Sequence, residues 1–147
     1  MLSLHAVTQD DRHALAELRV GAMQESLEAL GRFDPERARA RFLDGFDPTN
    51  TRAVVSGGRR VGFVVVRPVE SHLLLDHLYI EPPSQGLGYG SAVLKAIFAE
   101  ADAKNMDLRV GALKGSRSND FYVRHGFNLV TSAEWDNYYV RAPESDA

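Results

Sequence analysis

The stretch "SQGLGYGS", residues 84–91, sets Gly86, Gly88 and Gly90 at alternate positions where a helical pattern begins. Glycine is a poor helix former and loses the most backbone entropy on folding, so three together need a purpose. The first turn of a helix supplies one. Its amide N–H groups, here those from Leu87 to Ser91, have no carbonyl inside the helix and point outward. The helix dipole adds a favourable potential for negative charge. Side chains would hold a phosphate away from these amides, whereas glycine lets it come to contact. The chemistry is that of a phosphate cradle. Two familiar versions do not fit. The dinucleotide fingerprint G-x-G-x-x-G is met at Gly86 and Gly88 but has Ser91 at its sixth position, and no ribose-binding acid follows at the required distance. A P-loop ends in Gly-Lys-Ser/Thr, a tripeptide found nowhere in the chain.

The elements that position this cradle follow from periodicity and punctuation. "SHLLLDHLYIEPP" reads as a strand stopped by Pro82 and Pro83, which cannot continue a ladder. Beyond the glycines, Val93, Leu94, Ile97, Phe98 and Ala101 share one helix face. Upstream, "LSLHAV" alternates as a first strand and ends at Thr8, before a helix opened by Asp10 and Asp11. Its apolar stripe runs through Leu15, Leu18, Ala22, Met23, Leu27 and Leu30 to a stop at Gly31. "FDPERARARFL" starts a second helix with Asp34 as N-cap and Pro35 at its first position. "TRAVVSGGRRVGFVVVRP" is a hairpin around Gly57 and Gly58. Downstream come a strand, "DLRVGAL", a short helix in "SRSNDFYVRHGF" ended by Gly126, and a closing strand pair in "NLV" and "DNYYVRA". The order βαα-βββ-α-β-α-ββ predicts one α/β domain over residues 1–142, with a short flexible tail at 143–147.

Composition narrows the function. With 147 residues, 44% hydrophobic and 25% charged, the chain has the make-up of a soluble globular domain. A net charge of −3 argues against a nucleic-acid partner, which calls for a basic face. The N-terminus lacks a basic stretch followed by a long apolar one, and runs such as "VGFVVV" are too short to span a bilayer, so no signal peptide and no membrane partner are expected. The absence of cysteine removes disulfides, thiolate nucleophiles and zinc–thiolate sites, and fits a reducing compartment. A cytoplasmic location is the expectation. The five histidines show no metal-ligand spacing and no G-x-S-x-G elbow is present, so neither a metal nor a serine nucleophile is expected.

The loop Gln85-x-x-Gly88-x-Gly90 resembles the Q/R-x-x-G-x-G/A acyl-CoA loop of the GNAT family of N-acetyltransferases. "LDHLYIEPPSQGLGYGSAVLKAIFAEA" is similar to that family's fourth strand and third helix. "DLRVGALKGSRSNDFYVRHGF" is similar to its fifth strand and fourth helix, ending in F-Y-x-x-x-G-F. The resemblance covers roughly residues 61–127 and implies a GNAT fold: a mixed central sheet of six to seven strands, the fourth and fifth splayed, with about four flanking helices. It implies acetyl-CoA as cosubstrate and transfer of its acetyl group to a primary amine, of a small molecule or a peptide N-terminus. Without cysteine for an acyl-enzyme, direct attack in a ternary complex is the expected route. Dimers are common among similar proteins, so a homodimer is the assembly to expect. A non-catalytic acyl-CoA sensor and a protein lysine or N-terminal acetyltransferase are the alternatives.

Residue roles carry over position by position. The backbone of Leu78, Tyr79 and Ile80 matches the strand edge to which pantetheine adds, with one amide donating to the thioester carbonyl. Gln85, Gly86, Leu87, Gly88, Tyr89, Gly90 and Ser91 form the pyrophosphate loop. There Gly88 and Gly90 are the contact positions, and Gly86 serves the turn after Pro83. Tyr122, the tyrosine of the F-Y pair, matches the residue that protonates the leaving thiolate. A phenol with pKa about 10 giving its proton to a thiolate of thiol pKa about 8.5 is uphill by only about 2 kcal/mol. The family's pantetheine-binding asparagine falls on Gly115; Asn119 stands nearby and either reaches the cofactor or caps its own helix. The family's strand glutamate falls on Leu74, which cannot take a proton. Asp76, of the same strand parity, is the first candidate for a base on the substrate side, and His77, better matched by pKa but of opposite parity, is the second. Glu25, Glu28 and Arg32 border the acceptor side, and Trp135 with the tyrosines of "EWDNYY" is expected to pack under the last strands.

Overall fold

The computed structural model describes residues 2–144; the last three residues of the tail expected at 143–147 lie outside the described residues. Strand β1, Leu2–Ala6, leads through a short 3-10 turn, Gln9–Asp11, into helix α1, Arg12–Ala29. The Asp11 carboxylate accepts the Thr8 N–H at 2.8 Å, as an opener of this helix should. Helix α2 is Pro35–Asp44, and the Asp34 side chain caps it by accepting the Arg37 N–H at 3.1 Å. Strands β2, Thr51–Ser56, and β3, Arg59–Val69, join through Gly57 and Gly58, both left-handed at φ +60° and +77°. Two positive-φ residues are what a tight hairpin turn with the native strand twist requires.

Strand β4, His72–Ile80, is followed by helix α3, Tyr89–Ala103, strand β5, Asp107–Leu113, and helix α4, Ser118–Arg124. Strands β6, Asn128–Ser132, and β7, Asp136–Arg141, close the chain. Three helices end in one way. After α1, α3 and α4 a left-handed residue, Gly31, Asn105 or Gly126, turns the chain. The amide of the next residue then reaches back to the carbonyl of Leu27, Ala101 or Tyr122.

The seven strands form one mixed sheet in the order β1-β2-β3-β4-β5-β7-β6. All neighbours whose register is known are antiparallel except β4 and β5, which pair in parallel over His72–Leu75 and Asp107–Val110. Both strands run on past that paired stretch, in keeping with the splay the resemblance implies.

The chain folds as two compact units. One comprises the residues up to Val65 together with His77–Ala92. Its core is Val7, Leu15, Ala16, Phe42, Ala53, Phe63 and Val65, with Tyr79 packed against it. Phe42 and Phe63 meet edge to face at 5.1 Å. The buried stripe of α1 is Leu15, Ala16, Arg19 and Val20, while Leu18, Ala22, Met23 and Leu27 are half-buried and Leu30 is exposed. The expected stripe is thus rotated, and a charged residue sits on it. The other unit comprises Val66–Asp76 and the residues from Val93 onward. There Val93, Leu94, Ile97 and Ala101 of α3 are buried, as are Leu108 and Val110 of β5. Arg141 is buried too: it lies 4.0 Å over the Phe98 ring and pairs with Asp102 at 2.9 Å.

Phe63 is fully buried and touches rings from both α2 and β4. Replacing it with alanine should cost about 3–5 kcal/mol in urea denaturation, the usual range for a phenylalanine cavity.

Candidate functional site

β4 ends in a tightly held turn. The Glu81 N–H donates to the Val61 carbonyl at 2.8 Å, joining the strand end to β3. Ser84 and Gln85 then donate their amides back to the carbonyls of Glu81 and Pro82 at 3.0 and 3.2 Å. The Glu81 carboxylate accepts from Ser84 Oγ at 2.7 Å and from Arg59 Nη1 at 2.8 and 3.0 Å. Arg59 Nη2 reaches Ser84 Oγ at 3.3 Å. These bonds, that of Ser84 first and those of Arg59 next, hold the Glu81 carboxyl below its ordinary pKa. The side chain of Gln85 turns inward: Nε2 donates to the Ile80 carbonyl at 2.9 Å. Neither Glu81 nor Arg59 stands out in the sequence, because a charge pair 22 positions apart carries no local pattern.

The glycines follow. Gly86 and Gly88 are left-handed at φ +80° and +84°, and a Cβ built at either meets nothing within 4 Å. Backbone conformation, not crowding by the protein, requires glycine here, and the space a side chain would fill is open. Gly90 lies inside α3. The helical ladder starts with the Ala92 N–H on the Gly88 carbonyl at 3.1 Å, so Gly88 stands at the N-cap with Tyr89 and Gly90 in the first turn. Tyr89 Oη accepts from Ser56 Oγ at 3.0 Å, fastening the helix start to the end of β2. Leu87 is 65% exposed.

On β4 itself, Tyr79 and His77 stand in an aromatic group. The His77 ring lies 5.4 Å from Phe42 and 5.7 Å from Tyr79, and Tyr79 lies 5.6 Å from Phe63. A Cβ on Gly62 of β3 would collide with the Tyr79 carbonyl oxygen and with Ile80, so glycine there lets the two backbones close up. Asp76 is ion-paired with Arg67 Nε at 3.0 Å, both side chains partly exposed.

In the second unit, Tyr122 on α4 is 6% exposed and packs against Phe121, Phe127 and Tyr139. Asn119, one turn earlier, uses its whole amide. Nδ2 donates to the carbonyls of Leu113 and Ser116, both at 2.9 Å, and Oδ1 accepts from Asn137 Nδ2 at 2.9 Å and Tyr139 Oη at 2.8 Å. An amide has two N–H bonds and two lone pairs, and each is engaged within the unit. Of the aromatic residues near the end, Tyr139 is buried and the half-covered Tyr138 ring lies against Gly111 of β5, but Trp135 is 47% exposed, against the packing expected of it. Glu28 accepts from Gln24 at 2.8 Å along α1. Among the described residues no cluster of three His, Asp or Glu could hold a metal, and no helix is long and apolar enough to cross a membrane.

A family model described as an acetyltransferase (GNAT) domain matches residues 49–129, from just before β2 into β6. The chain belongs to the GNAT family. Among curated proteins no relative matches it. Solved structures of similar fold include the PaiA N-acetyltransferase of Thermoplasma acidophilum, in complex with coenzyme A. It is 12% identical, with 97% of this chain and 99% of that one covered and a TM-score of 0.80. An acetyltransferase of Thermus thermophilus is 21% identical, with 97% of each chain covered and a TM-score of 0.75. The ribosomal-protein-S18-alanine N-acetyltransferase of Escherichia coli is 14% identical, with 97% and 94% covered and a TM-score of 0.72. At such identities the likeness is one of fold, and it extends over nearly the whole GNAT chain.

Glu81 should act as the latch of the glycine loop. Because its folded pKa is depressed, the latch is in place above the ordinary value of 4.5 and is lost as pH falls through the lower folded value. At neutral pH, Glu81→Gln should speed hydrogen exchange of the amides at 84–88 relative to wild type. The two proteins should converge as the medium is acidified below the carboxylate range. Equal exchange at neutral pH would remove the latch.

Proposed function

We propose that this GNAT chain is an acetyl-CoA-dependent N-acetyltransferase that moves the acetyl group to a primary amine by direct attack in a ternary complex. One observation carries the reading: β4 passes through left-handed Gly86 and Gly88 straight into the first turn of α3, with open space where side chains would be. Hydrogen bonds from amides to a charged phosphate contribute about 1.5–3 kcal/mol each. The helix dipole adds about 0.3–1 kcal/mol. The amides therefore dominate, and the dipole tunes. Acetyl-CoA is the donor that GNAT proteins use, and this loop is suited to its pyrophosphate.

The chain's own groups take the following roles. The backbone edge of Leu78, Tyr79 and Ile80 receives the pantetheine arm, and one amide polarises the thioester carbonyl, a contribution of order 10²–10³ in rate for comparable donors. The amine nitrogen bonds to the carbonyl carbon as the carbon–sulfur bond breaks. Tyr122 gives its proton to the departing thiolate, and a base takes the proton the amine loses. Asp76 and His77 are the two groups proposed for that base. Asp76 is held by Arg67, which occupies part of its accepting capacity; His77 sits half-buried beside Tyr79.

A second reading is favoured by Leu74 standing where the family's glutamate falls and by the Arg67 pair on Asp76. It makes the chain a non-catalytic acyl-CoA sensor. Thiol release from acetyl-CoA across a panel of amines separates the two: turnover on any amine supports the transferase, and tight CoA binding with no turnover on the panel supports the sensor. If Tyr122 is the acid, Tyr122→Phe should lower kcat by about 10²-fold or more while acetyl-CoA still binds. Unchanged turnover would take it out of the mechanism. The base follows from the pH dependence of kcat/KM: an acid limb that persists in Asp76→Asn and vanishes in His77→Gln assigns it to His77. The reverse pattern assigns it to Asp76.

A further inference from the structure

Arg19 is the charged residue on the buried stripe of α1, 8% exposed. Its Nη1 donates to the Ala38 carbonyl of α2 at 2.6 Å, and its Cζ lies 5.9 Å from the centre of the Tyr79 ring. Nε is sealed from solvent with no hydrogen-bond partner. Among the described residues no carboxylate pairs with Arg19, whereas Arg39, Arg59, Arg60, Arg67 and Arg141 each hold one. Arg141 is the fair comparison. It is buried to the same degree, at 7% exposed, and there the charge is met by Asp102 with two hydrogen bonds. Removing a guanidinium from water without a counter-charge is costly, and a single neutral carbonyl with a ring face only partly offsets it.

The ring beside Arg19 identifies which molecule could supply the missing charge. Tyr79 is the middle residue of the β4 edge proposed to hold the thioester, so an anion on Arg19 belongs to whatever meets the thioester there. The other rings around Tyr79, Phe63 and His77, bring no negative charge. A guanidinium presents a planar fork of donors that fits a carboxylate with two parallel bonds, and it repels a polyamine. We infer that the acceptor is a small amino acid, whose carboxylate Arg19 binds while its amine meets the acetyl group. This rests on the N-acetyltransferase reading and names its acceptor; Arg19 is a specificity residue, apart from the proton transfers.

The test compares acceptors that differ only in the anion: free amino acids, their methyl esters, and diamines, each with acetyl-CoA and the wild-type chain. Free amino acids should exceed their esters in kcat/KM by about tenfold or more, mainly through KM, and diamines should be the poorest. Arg19→Met should collapse the acid-to-ester ratio, and Arg19→Lys, which keeps charge but not the fork, should restore part of it. Esters or diamines used as well as acids by wild type would overturn the inference and leave the transferase reading intact; that arm needs no variant to fold. Calorimetric titration of N-acetyl amino acids into the CoA-loaded protein gives a readout without chemistry. Binding by wild type that is lost in Arg19→Met, with no amine turned over, supports the anion site while the transferase reading fails. Neither binding nor turnover overturns both.

Discussion

Glu81 takes hydrogen bonds from Ser84 and Arg59, and the course of the chain beyond β4 depends on them. Two prolines stop the strand but do not say where the chain goes next. The carboxylate does, because it joins a residue of β3 to the turn that precedes the glycines. Gln85 adds a second tie by closing onto the last carbonyl of the strand. With both in place, Gly86 and Gly88 adopt left-handed conformations and α3 starts with its first amides facing outward. An anion site made of backbone is only as good as the rigidity of the loop presenting it, since each bond is short-ranged and directional.

The molecule deals with its buried polar groups in two contrasting ways. In the second unit the half-buried Asn119 makes four bonds, to Leu113 at the end of β5, to Ser116 just before α4 and to Asn137 and Tyr139 of β7, and the buried Arg141 is met by Asp102 and a ring. Such fully connected groups specify a unique packing. In the first unit Arg19 has a carbonyl and a ring but, among the described residues, no counter-charge. Buried groups in folded proteins are nearly always matched, so a buried guanidinium with no counter-charge among the described residues supports the anion site proposed for Arg19.

Much of this was legible in the residues. The N-cap at Asp34, the hairpin at Gly57 and Gly58, and the helix stops at Gly31 and Gly126 each follow from a local conformational need that few residue types meet. The strand before the glycines and the helix after them follow from periodicity. The stop of α3 at Asn105 leaves no such mark in the sequence, because asparagine tolerates the left-handed region without demanding it. The phase of α1 is hidden for another reason. Its apolar residues nearly surround the helix, so pattern alone does not choose the buried side, and the stripe that packs includes an arginine. The exposure of Trp135 has a similar origin, since a large apolar side chain does not report whether anything covers it.

What the sequence determined by itself was local and stereochemical: which segments are strand or helix, where the chain turns, and that a glycine-rich turn opens α3 in the manner of a GNAT acyl-CoA loop. These depend on propensity, capping and backbone freedom over a few residues. What only the tertiary structure decided was the partnership of groups far apart in the chain. Glu81 with Arg59, Asp76 with Arg67, Asn119 with Tyr139, and Arg19 with no carboxylate among the described residues are outcomes of packing. The reason is physical: a charge or an amide in a sequence carries its donors and acceptors openly, but which of them are met depends on what the fold brings to within about three ångströms of them.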